Sequence, residues 1–524
     1  MVALPRTALH QDRVPDNVST RSTLHGDTVL DADVVIIGSG AGGATLAAEL
    51  AEAGLDVVMI EEGRYYTTRD FTAEASAMTR QLYRDGGASI AIGDPPVMFQ
   101  EGRAVGGSTV INGGMSWRTP ERILERWRRE AGLEHIEMPD MDEFFARVER
   151  RINVRHQDPE TIGVDNALLK RGADAKGWKV IPNLRNQVHC AGSNNCAFGC
   201  PTGAKQSALV SYIPRALHFG ARLLSDVKID KILMHGKRAI GVQGHVVGDP
   251  ATGPSGARGH RVVVRAKLVV SACGAIQTPA LLARSGVRSP SGRLGHNLSL
   301  HPNVKLTAVF DEPVRGWEGV HQAYQVREFE GEGLLFAAVN IPPSIVAMTS
   351  HQRGAALGRL MAEYDRTVIA GMLCEDSATG RVRTISGRPQ AFYQLAQLDA
   401  EKLIRGVALL SELLFAAGAR SIVTPFAGVP ALRSHDDTRA LYTRTIKRSA
   451  MEVVTVHMMG TAAMGTDRTR SVTDGYGLVH DADRLMVCDA SLFPTPIGVN
   501  PMETIMALAT RAAAHVLDNL PRYQ

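Results

Sequence analysis

Gly38, Gly40 and Gly43 fall in the run Gly38-Ser39-Gly40-Ala41-Gly42-Gly43, a spacing whose chemistry is the binding of a dinucleotide pyrophosphate. Gly38 permits a tight turn, Gly40 lets the backbone approach the phosphates, and Gly43 lets a helix pack on a strand. Glu61 ends the next apolar run, where a carboxylate can accept hydrogen bonds from ribose hydroxyls. Gly106-Gly107-Ser108 offers successive backbone N–H groups suited to a phosphate or a flavin edge. Cys190, Cys196 and Cys200 form a third cluster, with Pro201 after the last. Three thiolates without a nearby fourth suit a three-iron [3Fe-4S] cluster. The same residues also read as structural thiols, free or disulfide-linked, or as zinc ligands with His189 as a fourth. Asn500-Pro501-Met502-Glu503 has the order of a helix cap, with Glu three residues past the cap. A histidine would suit the work of a general base, its ordinary pKa of about 6.5 lying near neutral pH. Spacing alone singles out none of the 17 histidines.

Elements must position these groups. Asp33-Val34-Val35-Ile36-Ile37 is a β-branched run leading into the glycines, and Ala44 to Ala53 behind them has helical composition. Asp56 to Ile60 reads as a second strand and Leu268 to Ala272 as a buried one, turning at Gly274 into a helix. Strand-like runs follow at Leu306 to Phe310, Leu334 to Ile341, Val368 to Leu373 and Arg381 to Ile385, then a helix from Asp399 to Ala417. Leu334 to Val339 and Ile341 to Pro343 suit either a hydrophobic pocket wall or plain sheet core. Gly248 to Gly259 reads as a surface hairpin loop, and Met1 to Asp31 as a surface-bound or mobile extension.

The chain has 524 residues, 44% of them hydrophobic, which excludes wholesale disorder. A net charge of +4 with no basic run argues against a nucleic-acid partner. Six cysteines exclude a disulfide-built scaffold. Cys273, Cys374 and Cys488 stand singly in apolar contexts and read as core. No apolar run approaches the roughly 20 residues needed to span a bilayer, so a cytoplasmic protein without a transmembrane segment is expected. A single glycine fingerprint near the start, with no second one behind it, favours a resident flavin over NAD plus a separate flavin.

Three blocks, in order, carry a resemblance to a known family. Gly102 to Met115 resembles the first signature of the glucose-methanol-choline (GMC) oxidoreductases, and Gly274 to Leu282 with Ser285-Gly286-Val287 the second. His457-Met458-Met459-Gly460-Thr461, Asp489-Ala490-Ser491 and Asn500-Pro501 are similar to the C-terminal block. The resemblance spans about residues 30 to 520. It implies FAD as cofactor and an α/β fold, with a Rossmann-like FAD-binding domain and an α+β substrate domain on a mixed or antiparallel sheet. The first would comprise 31–125, 190–310 and 446–524, the second 126–189 and 311–445, with 1–30 as an extension.

By the same resemblance His457 is the base and Asn500 holds the substrate oxygen. Cofactor contacts are implied for Gly106, Gly107, Ser108, Asn112, Gly113, Val227, Asp489, Ala490 and Pro501 beside Gly38, Gly40, Gly43 and Glu61. FAD-dependent glucose dehydrogenase subunits carry an iron–sulfur cluster on a segment similar to 190–200, whereas long-chain alcohol oxidases and other relatives have cysteine-rich versions without an established cluster. The implied reaction oxidises a small-molecule alcohol to a carbonyl by proton abstraction and hydride transfer to the flavin. A dehydrogenase using a quinone, cytochrome or other redox protein is the leading expectation, with an oxygen-using oxidase or a non-redox flavin-containing lyase as alternatives.

Overall fold

The computed structural model describes residues 13–248, 258–287 and 289–523. Its first sheet has eight strands. The parallel part runs Val18–Ser19, Arg222–Leu224, Val57–Ile60, Thr28–Ile37 and Arg258–Ser271, with Leu485–Val487 paired to the last three residues of Arg258–Ser271. Arg238–Val247 and Val227–His235 continue it as an antiparallel meander. Val34 to Ile37 and Val57 to Ile60 are buried, which is why these runs are continuously apolar rather than alternating. Helices Ala41–Glu52 and Met502–Asp518 pack against each other beside this sheet in one core.

The second sheet has nine strands and its own core. Asn303–Val309 pairs antiparallel with Thr367–Cys374, which pairs with Leu334–Ala338. Val453–Thr455 joins through Asn303 and lies parallel to Val97–Phe99. Helix Gln397–Ala416 covers one face with its buried leucines, so Val304, Leu306 and Ala308 point inward and Asn303, Lys305 and Thr307 face the other way. This is the expected α/β class with a second, mixed sheet. No helix among the described residues is long and apolar enough to cross a membrane.

Three local expectations change. Of the stretch read as an extension, Val18–Ser19 adds to the edge of the first sheet and the glycine-turn strand reaches back to Thr28, because Arg258–Ser271 is long enough to pair with it throughout. The loop expected at Gly248 to Gly259 lies mostly outside the described residues. The last helix starts at Met502 after Pro501 and has no side-chain cap: Asn500 turns toward His457, and Glu503 is buried against helix Met138–Ile152.

Glu503 is 1% exposed, and neither of its carboxylate oxygens has a hydrogen-bond partner among the described residues. Burial and the neighbouring Glu149 carboxylate push its pKa above the usual range. A carboxyl whose pKa rises on folding contributes stability at low pH and loses it as pH climbs through the folded value. Glu503→Gln is therefore expected to melt higher than wild type at pH 8, with the gap closing as pH falls toward 4, as calorimetric melts across that range would read.

Candidate functional site

A cavity of about 1730 Å³ opens between the two sheets, from the Gly38 turn to His457 and Asn500. Drug-sized ligands occupy roughly 300–1,000 Å³, so there is room for a dinucleotide and a second molecule. Its inner end is built by Ser39. The Ser39 hydroxyl donates to Glu61 Oε2 at 2.7 Å and accepts from the Gly106 N–H at 3.0 Å. Glu61 also accepts from the Ser39 and Gly63 amides at 3.1 and 2.8 Å. Burial pushes the Glu61 carboxyl up and these donors oppose it, so the carboxylate is fixed at the cavity wall.

Gly38 has φ +100°, where a side chain would strike the Ala272 carbonyl. Gly106 and Gly107 have φ +94° and +55°, and Gly107 begins a single helical turn to Val110. A Cβ on Gly107 would stand 2.8 Å from Gly40 Cα, so the two loops approach backbone to backbone. Gly43 lies in the first turns of helix Ala41–Glu52, where a Cβ would strike the Gly38 carbonyl. The Ser108 hydroxyl accepts from the Gly102 amide at 3.0 Å and closes its own loop. Asn112 Nδ2 donates to Met502 Sδ at 3.0 Å, while Asn112 Oδ1 is buried without a partner among the described residues.

Gly113 and Val227 line the cavity, as do Asp489, Ala490 and Pro501. The Val227 amide donates to the Glu61 carbonyl at 2.9 Å. Asp489 is used by the protein: its oxygens accept from Ser491, from Thr278 at 2.5 Å and from the Gly274 amide at 2.9 Å, tying down the start of helix Gly274–Arg284. Only backbone atoms there remain for a ligand.

His457 follows strand Val453–Thr455, its amide donating to Thr455 Oγ1 at 3.1 Å. Its Nε2 is 3.4 Å from Asn500 Nδ2, and its Nδ1 is 3.2 Å from Nδ1 of His301. His301 Nε2 accepts the amides of Ile497 and Gly498 at 3.2 and 3.1 Å, which leaves its ring proton on Nδ1, aimed at His457. Burial lowers the His457 pKa to about 4 and takes His301 well below 6.5, so both rings are neutral at pH 7. Asp376 anchors the turn beneath, accepting from the Leu300 and His301 amides and the Tyr393 hydroxyl, and burial brings its pKa up to about 7.

His301 carries no spacing signal that links it to His457, 156 residues away. Its φ of +45°, uncommon for a residue with a Cβ, marks it as held in place by its surroundings.

The cysteine segment is arranged otherwise than expected for a metal. Cys190, Cys196 and Cys200 are free thiols, and no group of three His, Cys, Asp or Glu among the described residues is placed to hold an ion. Cys196 Sγ accepts from Arg185 Nη2 and Cys200 Sγ lies by Thr202 Oγ1. Between them runs the buried Lys205, whose Nζ donates to the carbonyls of Val110, Asn112 and Cys196 at 2.8, 2.8 and 2.6 Å. Through Lys205 the segment braces the Gly106 to Gly113 loop.

The chain matches the family described as GMC oxidoreductase over residues 79–303 for its N-terminal part and 376–509 for its C-terminal part, and an FAD binding domain over 31–91. An uncharacterized GMC-type oxidoreductase of Mycobacterium tuberculosis is 36% identical over 97% of this chain and 80% of its own length. A long-chain-alcohol oxidase of Arabidopsis thaliana is 27% identical over 94% and 69%. Among solved structures, pyridoxine 4-oxidase from Mesorbium loti superposes with a TM-score of 0.69 at 17% identity, over 93% of this chain and 99% of that one.

The cradle of Gly38, Gly40 and Gly107, where a Cβ on Gly107 would crowd Gly40, and the Asn112 Oδ1 without a partner among the described residues fit the FAD that the domain match implies. Gly107→Ala is expected to leave folding intact by circular dichroism but to lose most of its flavin, read as the ratio of visible to ultraviolet absorbance after gel filtration.

Proposed function

This chain belongs to the GMC oxidoreductase family, and from that premise we propose that it oxidises an alcohol to a carbonyl at His457 and Asn500. One observation carries the reading: the glycine cradle and the His457–Asn500 pair line a single cavity. FAD, when bound in that cradle, supplies the acceptor for the carbinol hydride.

Asn500 holds the substrate oxygen, and His457 takes the hydroxyl proton at Nε2. A bare Nε2 requires the His457 proton to sit on Nδ1 and be accepted by His301 Nδ1. His301 can accept it only by releasing the Ile497 and Gly498 amides. Arrival of the alcohol is thereby coupled to a change of tautomer in the histidine pair, and His301 is a positioning residue. Electrons then leave to an acceptor other than oxygen, in the leading form of this reading.

His457→Ala is expected to lower kcat/KM by about 10²–10⁴-fold, the usual share of a general base, while flavin content stays that of wild type. Unchanged turnover would overturn the assignment. Because burial brings His457 to about 4, the base is already deprotonated at neutral pH. The wild-type kcat/KM profile should thus be flat around pH 7 and fall only as pH drops toward 4; a fall centred near 6.5 would point to a solvent-exposed base.

A further inference from the structure

Lys305 stands out among the cavity residues as a cation with no hydrogen-bond or ion-pair partner among the described residues. It alternates with Val304 and Leu306 on strand Asn303–Val309, so those two enter the core and Lys305, with Asn303, lines the cavity. Directly across the pairing is Gly371, and Ala337 follows in the same row of the sheet. A Cβ on Gly371 would lie 3.3 Å from Lys305 Cγ and 3.2 Å from Asn303 Oδ1, so the glycine provides the space in which the lysine crosses the sheet. Leu335, Ala337, Val339 and Leu373 complete an apolar wall around it.

No hydrogen bond or ion pair to Lys305 is formed among the described residues, in contrast to Lys205 with its three carbonyls. Burial alone brings its ammonium down to about 8, and no carboxylate acts in the other direction. The acids that line the cavity are Glu61, Glu62, Asp85, Glu101, Asp230 and Asp489, and none of them acts on Lys305. His321 nearby is held neutral, its pKa brought to about 3 by burial with Arg185, Lys205 and Lys305. Gln322, Gln325 and Asn340 add only amides. Lys305 is half-buried and faces the cavity, so an anion that arrives with the substrate meets an ammonium free to form a charge-assisted hydrogen bond.

We propose that Lys305 binds a carboxylate at the end of the substrate remote from the carbinol carbon, so that the preferred alcohols are hydroxycarboxylates with an apolar spacer. A single ammonium at this wall of the cavity, with His321 beside it neutral, suits a monoanion. Lys305 is four residues along the chain from His301, which touches His457; that is at most about 13 Å of extended backbone, so the spacer is several carbons long. The assignment rests on alcohol oxidation at His457.

The test compares kcat/KM of the flavin-loaded enzyme for ω-hydroxycarboxylates, from hydroxybutyrate to hydroxydodecanoate, with that for 1-alkanols of equal length. Wild type should favour the acid at its best chain length by about 10- to 100-fold, the worth of a charge-assisted hydrogen bond. Lys305→Met should abolish the preference and Lys305→Arg retain part of it. Calorimetry with the saturated monocarboxylate and its amide gives a readout without turnover: the carboxylate should bind tighter to wild type and no tighter to Lys305→Met. A preference that survives Lys305→Met, or wild type that binds and oxidises both classes equally well, would overturn the proposal. Were neither class to bleach the flavin, the oxidation reading would fall, and Lys305-dependent carboxylate binding would still be decided by calorimetry.

Discussion

His301 joins the two halves of the molecule, touching His457 on its own sheet through one ring nitrogen and the first core through the other. His301 lies just ahead of strand Asn303–Val309 in the second sheet, and its far nitrogen is fixed by two amides from the turn that leads into helix Met502–Asp518 in the first core. Because backbone N–H groups can only donate, they dictate the His301 tautomer and, through it, which nitrogen of His457 carries a proton. The position of Asn500, at the end of the same turn, follows from the same anchoring. In the proposed reaction the substrate oxygen meets a pair of groups whose spacing is set by backbone geometry, and the tautomer these amides impose is the one its arrival must change.

Ser39 plays the corresponding part at the other end of the cavity. One hydroxyl joins the glycine turn, Glu61 on the neighbouring strand and the Gly106 loop. The cysteine segment braces that loop through Lys205, whose ammonium is satisfied by three carbonyls. Lys305 differs: Lys205 is buried and saturated by carbonyls, whereas Lys305 is half-buried and faces the cavity without a protein partner among the described residues.

The nucleotide half was legible because its signals are local. A β-branched run, a glycine turn and a helix follow one another within about thirty residues, and each makes sense without distant partners. The α/β class followed from these runs, and the strands at Leu334, Val368 and Arg381 from their apolar and β-branched content. What stayed hidden depends on contacts between residues far apart. The Asn500 cap pattern competed with a distant histidine and lost, since Asn500 turns to His457 and Glu503 is drawn into a helix interface. His301 and Lys305 lie in a run, His301-Pro302-Asn303-Val304-Lys305, that reads as ordinary strand entry; only the pairing with Gly371 and the cavity beyond give them meaning.

The proposed oxidation stands or falls on a hydride leaving the carbinol carbon of an alcohol held at His457 and Asn500. Rapid anaerobic mixing of the flavin-loaded enzyme with a primary alcohol and its α,α-dideuterated form reads that step. The oxidised flavin band should be lost at a rate several-fold slower for the deuterated alcohol. A band that stays oxidised while the substrate is consumed would contradict it.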